Sequence, residues 1–273
     1  EQQLQKQTTN GNVQVIDYEV WTSRIGTPDP NKDRKGVAIL NLPPNTSQNA
    51  TQYNAFRQTK ESVAGEVEVL TWEKLERGKD YTLHDFTGHL ILEKSVSDGQ
   101  AIAISYKVAD GNTYGEFDIN SSDTSQVLVF KLIKPKNLLP QYKAPWNMML
   151  KNIYSLGGKN IKKDGFELEI KYTLPGQEPV TEIAGQKILR VVGLDRVSDD
   201  GSPTPDNKFD YIRGTTIDEA RGEIIFPSLE PFKTGMSNYF KENNIAGDTL
   251  FTYPEIYDTT LHVAEKSVYN RYT

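Results

Sequence analysis

The side chains best placed to do chemistry lie between Leu194 and Phe232, where Asp195, Asp199, Asp200, Asp206 and Asp210 are set among Gly201, Pro203 and Pro205. Oxygen-rich loops bind hard cations, and these carboxylates would suit Ca²⁺ at extracellular concentrations. The spacing fits no EF-hand, since D-x-[DN]-x-[DN]-G with a Glu at the twelfth position is missing. Asp, Asn, Gly and Pro together also favour tight turns and helix N-caps, and this turn reading stands ahead of the calcium reading. The second half of the stretch predicts a short buried strand, Glu223-Ile224-Ile225-Phe226, stopped by Pro227, with a second proline at Pro231.

Other chemical signals are weaker. His84 and His89 flank a glycine-containing turn with only Asp85 nearby, whereas a metal site needs three or four converging ligands, so both read as solvent-facing loop residues. His262 has no assignable partner. The absence of cysteine excludes disulfides, thiolate nucleophiles and thiolate metal sites. The run SLGGKN has neither the glycine spacing nor the Ser or Thr after Lys that a phosphate-binding loop requires. No G-x-S-x-G elbow is present, and a glycosidase carboxylate pair is defined by a distance that spacing does not give. The chain is therefore expected to be non-catalytic and, calcium aside, without a cofactor. Asn45-Thr46-Ser47 and Asn49-Ala50-Thr51 match glycosylation sequons and read as coincidence, while Tyr81 and Tyr106 read as packing residues.

The elements that must position these groups are bounded by composition. At 273 residues with 36% hydrophobic content, two modest cores are expected in place of one large one. A net charge of -6, with basic residues scattered, argues against nucleic acid or an anionic membrane as partner. No apolar run approaches the length of a membrane helix. The opening EQQLQKQTTNGN predicts a disordered lead over 1–12 that follows a cleaved or engineered start.

A first module is expected over 13–134. Alternation from Val13 to Val20 predicts a strand with Ile16, Tyr18 and Val20 on one face. Gly26–Lys35 reads as a loop, Val37–Leu42 as a strand stopped by Pro43-Pro44, and Asn45–Tyr53 as another loop. Strands follow at Glu66–Trp72, around Tyr81, at Gly88–Leu92 and Gln100–Tyr106, each reversal marked by glycine, and a long strand closes the module at Gln126–Lys134. Strands spaced by turn signals make an antiparallel β-sandwich the economical architecture.

The prolines between Lys134 and Pro145 predict an extended connection, and a second, mainly β module is expected over 135–273. Met149, Ile153 and Leu156 have helical spacing, which predicts a helix over 146–156 ending at Gly157-Gly158. Gly165–Tyr172 alternates without interruption, predicting a half-buried strand with Phe166, Leu168, Ile170 and Tyr172 inward. Further expectations are a strand over Gln186–Leu194, a short helix around Met236–Lys241, and an extended Thr252–Tyr257, where Pro254 argues against a helix.

Trp146-Asn147-Met148-Met149-Leu150-Lys151-Asn152-Ile153-Tyr154-Ser155-Leu156-Gly157, Pro205-Asp206, Phe209-Asp210-Tyr211-Ile212, Gly222-Glu223-Ile224-Ile225-Phe226-Pro227, Leu229-Glu230-Pro231-Phe232 and Glu255-Ile256-Tyr257-Asp258-Thr259-Thr260 resemble the SprA/Sov family. These are very large outer-membrane proteins of Bacteroidetes that form the type 9 secretion system translocon and support gliding motility. The resemblance extends from about Val13 to the end, with its specific motifs after Trp146, and family members are far longer than this chain. It implies a cell-envelope location at the outer membrane, a barrel elsewhere in a parent chain, and partners among secreted proteins and secretion-system subunits.

Two functions follow as expectations. One is a non-catalytic region of such a translocon, shaping or capping the export pore. The other is a stand-alone surface adhesin or carbohydrate-binding β-sandwich module, which would need a line of exposed aromatics on one face; the sequence instead spreads Tyr and Trp along both modules.

Overall fold

The computed structural model of the chain describes residues 14–30, 32–83, 88–118, 125–246, 248–267 and 269–273. The expected lead over 1–12, together with His84 and Asp85, lies outside them. The chain divides into two compact units, Glu1–Met148 and Met149–Thr273.

In the first unit the long strands are β1 (Val15–Ser23), β2 (Asp33–Ile39), β3 (Val67–Lys74), β6 (Ile102–Val108) and β8 (Leu128–Lys134). They pair in the order β1-β3-β2-β8-β6, and β6 returns to β1, so the sheet closes on itself. This is a small closed five-stranded mixed barrel. The expected antiparallel sandwich is corrected here. One pairing, β2 with β8, is parallel, and ring closure leaves no second sheet to face.

The barrel interior holds Trp21, Ala38, Trp72, Ala103, Leu128 and Phe130, with Phe130 packed on Trp21 at 4.9 Å and on Trp72 at 5.7 Å between ring centroids. Gly36 makes that possible, because a Cβ there would lie 2.3 Å from the Phe130 ring. The outside of the barrel is covered as well. A hairpin of β4 (Tyr81–Leu83) and β5 (Leu90–Leu92) seals Tyr18, Val20, Ile102 and Ile104. A helix, α1 (Ala50–Arg57), lays Tyr53 over Val37, Ile39 and Val129. Strands buried on both faces lose simple alternation: Val20 and Trp21 are adjacent and both fully buried, whereas Ile16, expected on one face with the buried Tyr18 and Val20, is exposed.

Two expected loops of this unit are shorter than their composition implied. Strand β2 starts at Asp33, whose carboxylate accepts the Asp29 N–H at 2.7 Å and turns the chain there. Asn45–Tyr53 contains a 3₁₀ turn at Ser47–Asn49 leading into α1, held by Tyr53, whose hydroxyl donates to Pro43 O at 2.9 Å. Residues 135–148 belong to the first unit and carry a single helical turn, α2 (Lys143–Trp146).

The second unit is built on a three-stranded sheet of β12 (Ile217–Asp218), β13 (Glu223–Ile225) and β9 (Ile153–Ser155). The helix expected over 146–156 is thereby corrected. Ile153, Tyr154 and Ser155 pair with Ile225, Ile224 and Glu223, and this ladder outweighs a helical spacing whose central residue, Ile153, is β-branched. The strand expected over Gln186–Leu194 keeps only β11 (Gln186–Lys187), paired with β10 (Glu182–Ile183), before a helical turn, α3 (Ile188–Val191). From Ile188 to Leu194 the run is apolar apart from Arg190 and Gly193, so periodicity does not separate helix from strand. Thr252–Tyr257 is corrected too, since Pro254 opens a 3₁₀ turn at its first position, where no N–H is missed. The helix expected near Met236–Lys241 is present as α4 (Met236–Glu242), and β13 ends before Pro227 as expected. Gly165–Tyr172 alternates in burial as expected yet forms no ladder, only bridges from Tyr172 to Val180 and Tyr272. Among the described residues no helix is long and apolar enough to cross a membrane.

Candidate functional site

The acidic loop leaves α3 through Gly193 and returns at Asp210, whose N–H donates to Leu194 O at 2.8 Å and closes the loop at its base. Gly193 has φ +80°, and a Cβ there would sit 2.7 Å from the Arg196 guanidinium and 2.8 Å from Pro227. The loop starts in the core, so its first carboxylate is fully buried. Asp195 Oδ1 accepts the Asp206 N–H at 2.9 Å and Oδ2 the Asn207 N–H at 3.2 Å. Arg190 on α3 stands beside it, with Nε 3.5 Å from Asp195 Oδ2, inside ion-pair reach but without hydrogen-bond geometry, and a terminal nitrogen donating to Asn207 Oδ1 at 3.1 Å.

Asp210, also buried, binds the outgoing limb. Its Oδ2 accepts the Arg196 N–H at 2.6 Å, and both oxygens lie 3.3 Å from the Val197 N–H. Burial raises its pKa, the two N–H donors oppose that, and the neighbouring Asp195 and Asp206 carboxylates add to the rise. Thr216 completes the base, donating to Asp210 O while accepting the Ile212 N–H at 3.0 Å.

The remaining acids shape the exposed tip. Asp200 Oδ1 accepts from Ser198 Oγ at 2.6 Å and from the Ser202 N–H at 2.9 Å, and these bonds lower its pKa to about 2. Asp206 Oδ1 accepts the Lys208 N–H at 3.0 Å in the same two-residue turn, and its Oδ2 accepts the Asp199 N–H at 3.2 Å. Asp199 points to solvent against Lys208 Nζ at 2.5 Å. The structure thus brings Asp195, Asp206 and Asp210 to the base of the loop, where each accepts main-chain N–H groups, and leaves Asp199 and Asp200 at the tip. Among the described residues no group of three or more His, Asp or Glu side chains is arranged to hold a metal ion. His89 and His262 are on different units.

Beside the loop lies an aromatic cluster. Tyr154 on β9 meets Phe226 at 5.2 Å and Phe232 at 5.9 Å, and Phe232 meets Tyr272 at 4.8 Å. The Tyr257 hydroxyl accepts the Phe232 N–H at 2.8 Å, and burial pushes its pKa far upward. Asn152, almost fully buried, brackets Phe226: its O accepts the Phe226 N–H at 2.8 Å and its Nδ2 donates to Phe226 O at 2.7 Å. Gly222 at φ +66° lets the 157–161 turn approach, where a Cβ would meet Gly158 O at 1.8 Å. Sequence reasoning missed Arg190, Thr216 and Asn152. Arg190 interrupts the apolar run Ile188–Leu194 and so carries a sequence signal, whereas Thr216 and Asn152, buried only by the fold, carry none.

Among the described residues each unit has a shallow depression of about 180 Å³. One, in the first unit, is lined by Asn45, Thr113, Glu116, Phe117 and Gln126; the other, in the second, by Tyr172, Leu174, Val180, Ile183 and Phe251.

By fold this is a mainly β chain with a small closed mixed barrel, minor sheets and a few short helices. No protein-family model matches it, and no curated protein sequence does.

Proposed function

We propose that the chain is a non-catalytic region of an outer-membrane export translocon of the SprA-like, type 9 secretion class, shaping or capping the pore and contacting secreted proteins or partner subunits. Its place on this reading is the cell envelope, with the pore formed by a barrel elsewhere in a parent chain. The observation that carries the reading is the convergence of the segments that bear the family resemblance. Ile153–Ser155 and Glu223–Ile225 pair in one sheet, and Phe226, Phe232 and Tyr257 close around Tyr154. Residues far apart in sequence that jointly build one core are what a shared fold would require, because each segment depends on the others for burial. The acidic loop projects from that core on two buried anchors, giving a stiff base and a solvated, anionic tip suited to contact with passing chains.

The adhesin reading finds less support. Trp21, Trp72 and Trp146 are all buried, and a sugar-stacking platform would present such rings to solvent. Excising Asp199–Thr204 in the parent protein, with Asp195, Asp206 and Asp210 left in place, tests the proposal. Export of folded substrates is expected to fall at unchanged protein level, and normal export would overturn a gating role for the loop.

A further inference from the structure

We propose that the apolar depression of the second unit is a docking site for an extended segment of another protein, one that presents a single aliphatic side chain between basic residues. The hairpin that frames it follows from the sequence. Pro175 and Gly176 turn the chain, with Gly176 at φ +74°, and Gln177 N–H donates to Leu174 O at 3.0 Å. Tyr172 and Val180 then exchange N–H···O bonds of 2.8 and 2.9 Å across the hairpin. Leu174 and Val180 line the opening and are 38% and 46% exposed. The floor is fixed. Tyr172 and Ile183 are buried, and Phe251 meets the Tyr172 ring at 5.6 Å. The segment 271–273 pairs with the same strand in the direction away from the depression, Arg271 with Thr173 and then Thr273 with Lys171, so the opening is not a continuation of that ladder.

A second observation points to a ligand. Strands β10 and β11 are joined by a two-residue turn, Ala184-Gly185, with φ of +48° and +72°. Such a turn favours Asn-Gly, because Asn tolerates the left-handed region far better than Ala does. Among the described residues the other non-glycine positions with positive φ, 137, 160, 207 and 244, are all Asn. Ala184 is the exception, and it lines the depression. An Asn there would set an amide into the apolar part of the wall. The strained Ala keeps that wall apolar at a cost in stability, the usual mark of a position held for contact.

Size and charge select the occupant. A volume of about 180 Å³ falls below the roughly 300–1,000 Å³ of small-molecule sites and suits one side chain of a longer segment. Glu178 and Glu182 line the depression, and no Lys or Arg does. Glu182 has Lys187 at 2.9 Å in an exposed pair, while Glu178 is exposed and in no ion pair among the described residues. The incoming segment therefore carries Leu, Ile or Val for the floor and Lys or Arg for the rim. The inference rests on the geometry of the second unit alone and stands apart from the export reading.

The test titrates the isotopically labelled 273-residue chain with an extended peptide bearing Leu between two Lys, followed at the backbone amides. Saturable shifts centred on Val180, Ile183 and Ala184 are expected, and the same peptide with Ser in place of Leu should produce none. Ala184→Asn relieves the turn, so it should raise the urea midpoint of the second unit yet weaken the peptide by about tenfold. Leu174→Ser, at an exposed position, should weaken it likewise. Glu178→Lys should lower the affinity by up to about fivefold, as loss of an exposed charge pair does. The proposal is overturned by shifts centred elsewhere, by no saturable binding, by equal affinity for the Ser peptide, by an Ala184→Asn or Leu174→Ser variant that binds as well as the parent chain, or by sedimentation showing that a second copy of the chain already occupies the depression.

Discussion

Replacing Asp195 by Ala removes the acceptor around which the acidic loop is tied, and its cost can be worked from the bonds it makes. Two main-chain donors, the N–H groups of Asp206 and Asn207, lose their partner, and the Arg190 guanidinium loses a buried counter-charge at 3.5 Å. A buried donor left unsatisfied costs about 1–3 kcal/mol, and breaking a buried charge pair costs about 3–5 kcal/mol at the upper end. Asp206 and Asn207 are partly open to water, which can replace some of what is lost, so a total of about 2–4 kcal/mol is expected. With a urea dependence of about 2 kcal/mol per molar, a loss of about 3 kcal/mol moves the midpoint down by roughly 1.5 M. Circular dichroism reads that shift. Hydrogen exchange at the Asp206 and Asn207 amides reads its local origin, and tryptophan fluorescence serves as reference because Trp21, Trp72 and Trp146 all lie in the first unit. Asp195→Asn, which keeps one carbonyl oxygen, should cost about half as much. A midpoint for Asp195→Ala within roughly 0.3 M of the parent chain would refute the reasoning, since the carboxylate would then hold nothing together.

The same geometry carries other expectations. Gly222→Ala should destabilise by more than the roughly 1–2 kcal/mol of a left-handed Cβ, because Gly158 O stands in the way, while Gly214→Ala, at φ +69° with open space around it, should cost only that backbone part; equal losses in urea titrations would contradict the close approach. Burial pushes the Tyr53, Tyr81 and Tyr106 phenols up to about 12. A raised folded pKa contributes stability that is fully present below the unfolded value of about 10 and is lost as pH rises toward 12, so urea midpoints of the first unit should fall across that window and phenolate absorbance should lag behind free tyrosine. A flat midpoint there would count against the buried phenols. Millimolar Ca²⁺ should leave the thermal midpoint within about 1 °C of that in chelator. A loop site with a dissociation constant of about 0.1 mM would add roughly 1.8 kcal/mol at about 2 mM, a shift of several degrees, and that outcome would restore calcium to the loop.

Much of the first unit was legible because its strands are bounded by glycine and proline and filled with β-branched residues: Val67–Lys74 and Leu128–Lys134 lie where alternation and apolar content placed them. Closure into a barrel was not legible, since it depends on β6 returning to β1 and on the parallel pairing of β2 with β8, contacts between residues far apart in sequence. In the second unit local spacing misled wherever a distant strand competed. Ile153 suits a helix by its spacing from Met149 and Leu156, but Ile225 offers it a ladder. Phe166–Tyr172 shows the reverse, a correct inward and outward pattern that meets strand partners only at Lys171 and Tyr172 among the described residues. At the acidic loop, composition announced turns, and the structure uses its carboxylates as acceptors for main-chain N–H groups. Which of the five acids are buried depended on the unforeseen helical turn at Ile188–Val191, which delivers Asp195 into the core.

The parallel seam between Gly36–Ile39 and Leu128–Lys131 also sets an order of events for a growing polypeptide. Until residues near 130 leave the ribosome, β2 and β6 each keep an open flank, and the cavity reserved for Phe130 between Trp21 and Trp72 stays unfilled. Closing so long a stretch of chain is entropically slow, so nascent chains released before β8 should be captured by chaperones or aggregate through those flanks. The last strand to be synthesised acts as the latch of the barrel, and a truncation just before Leu128 should fail to acquire protease resistance even though most of the barrel strands are already present.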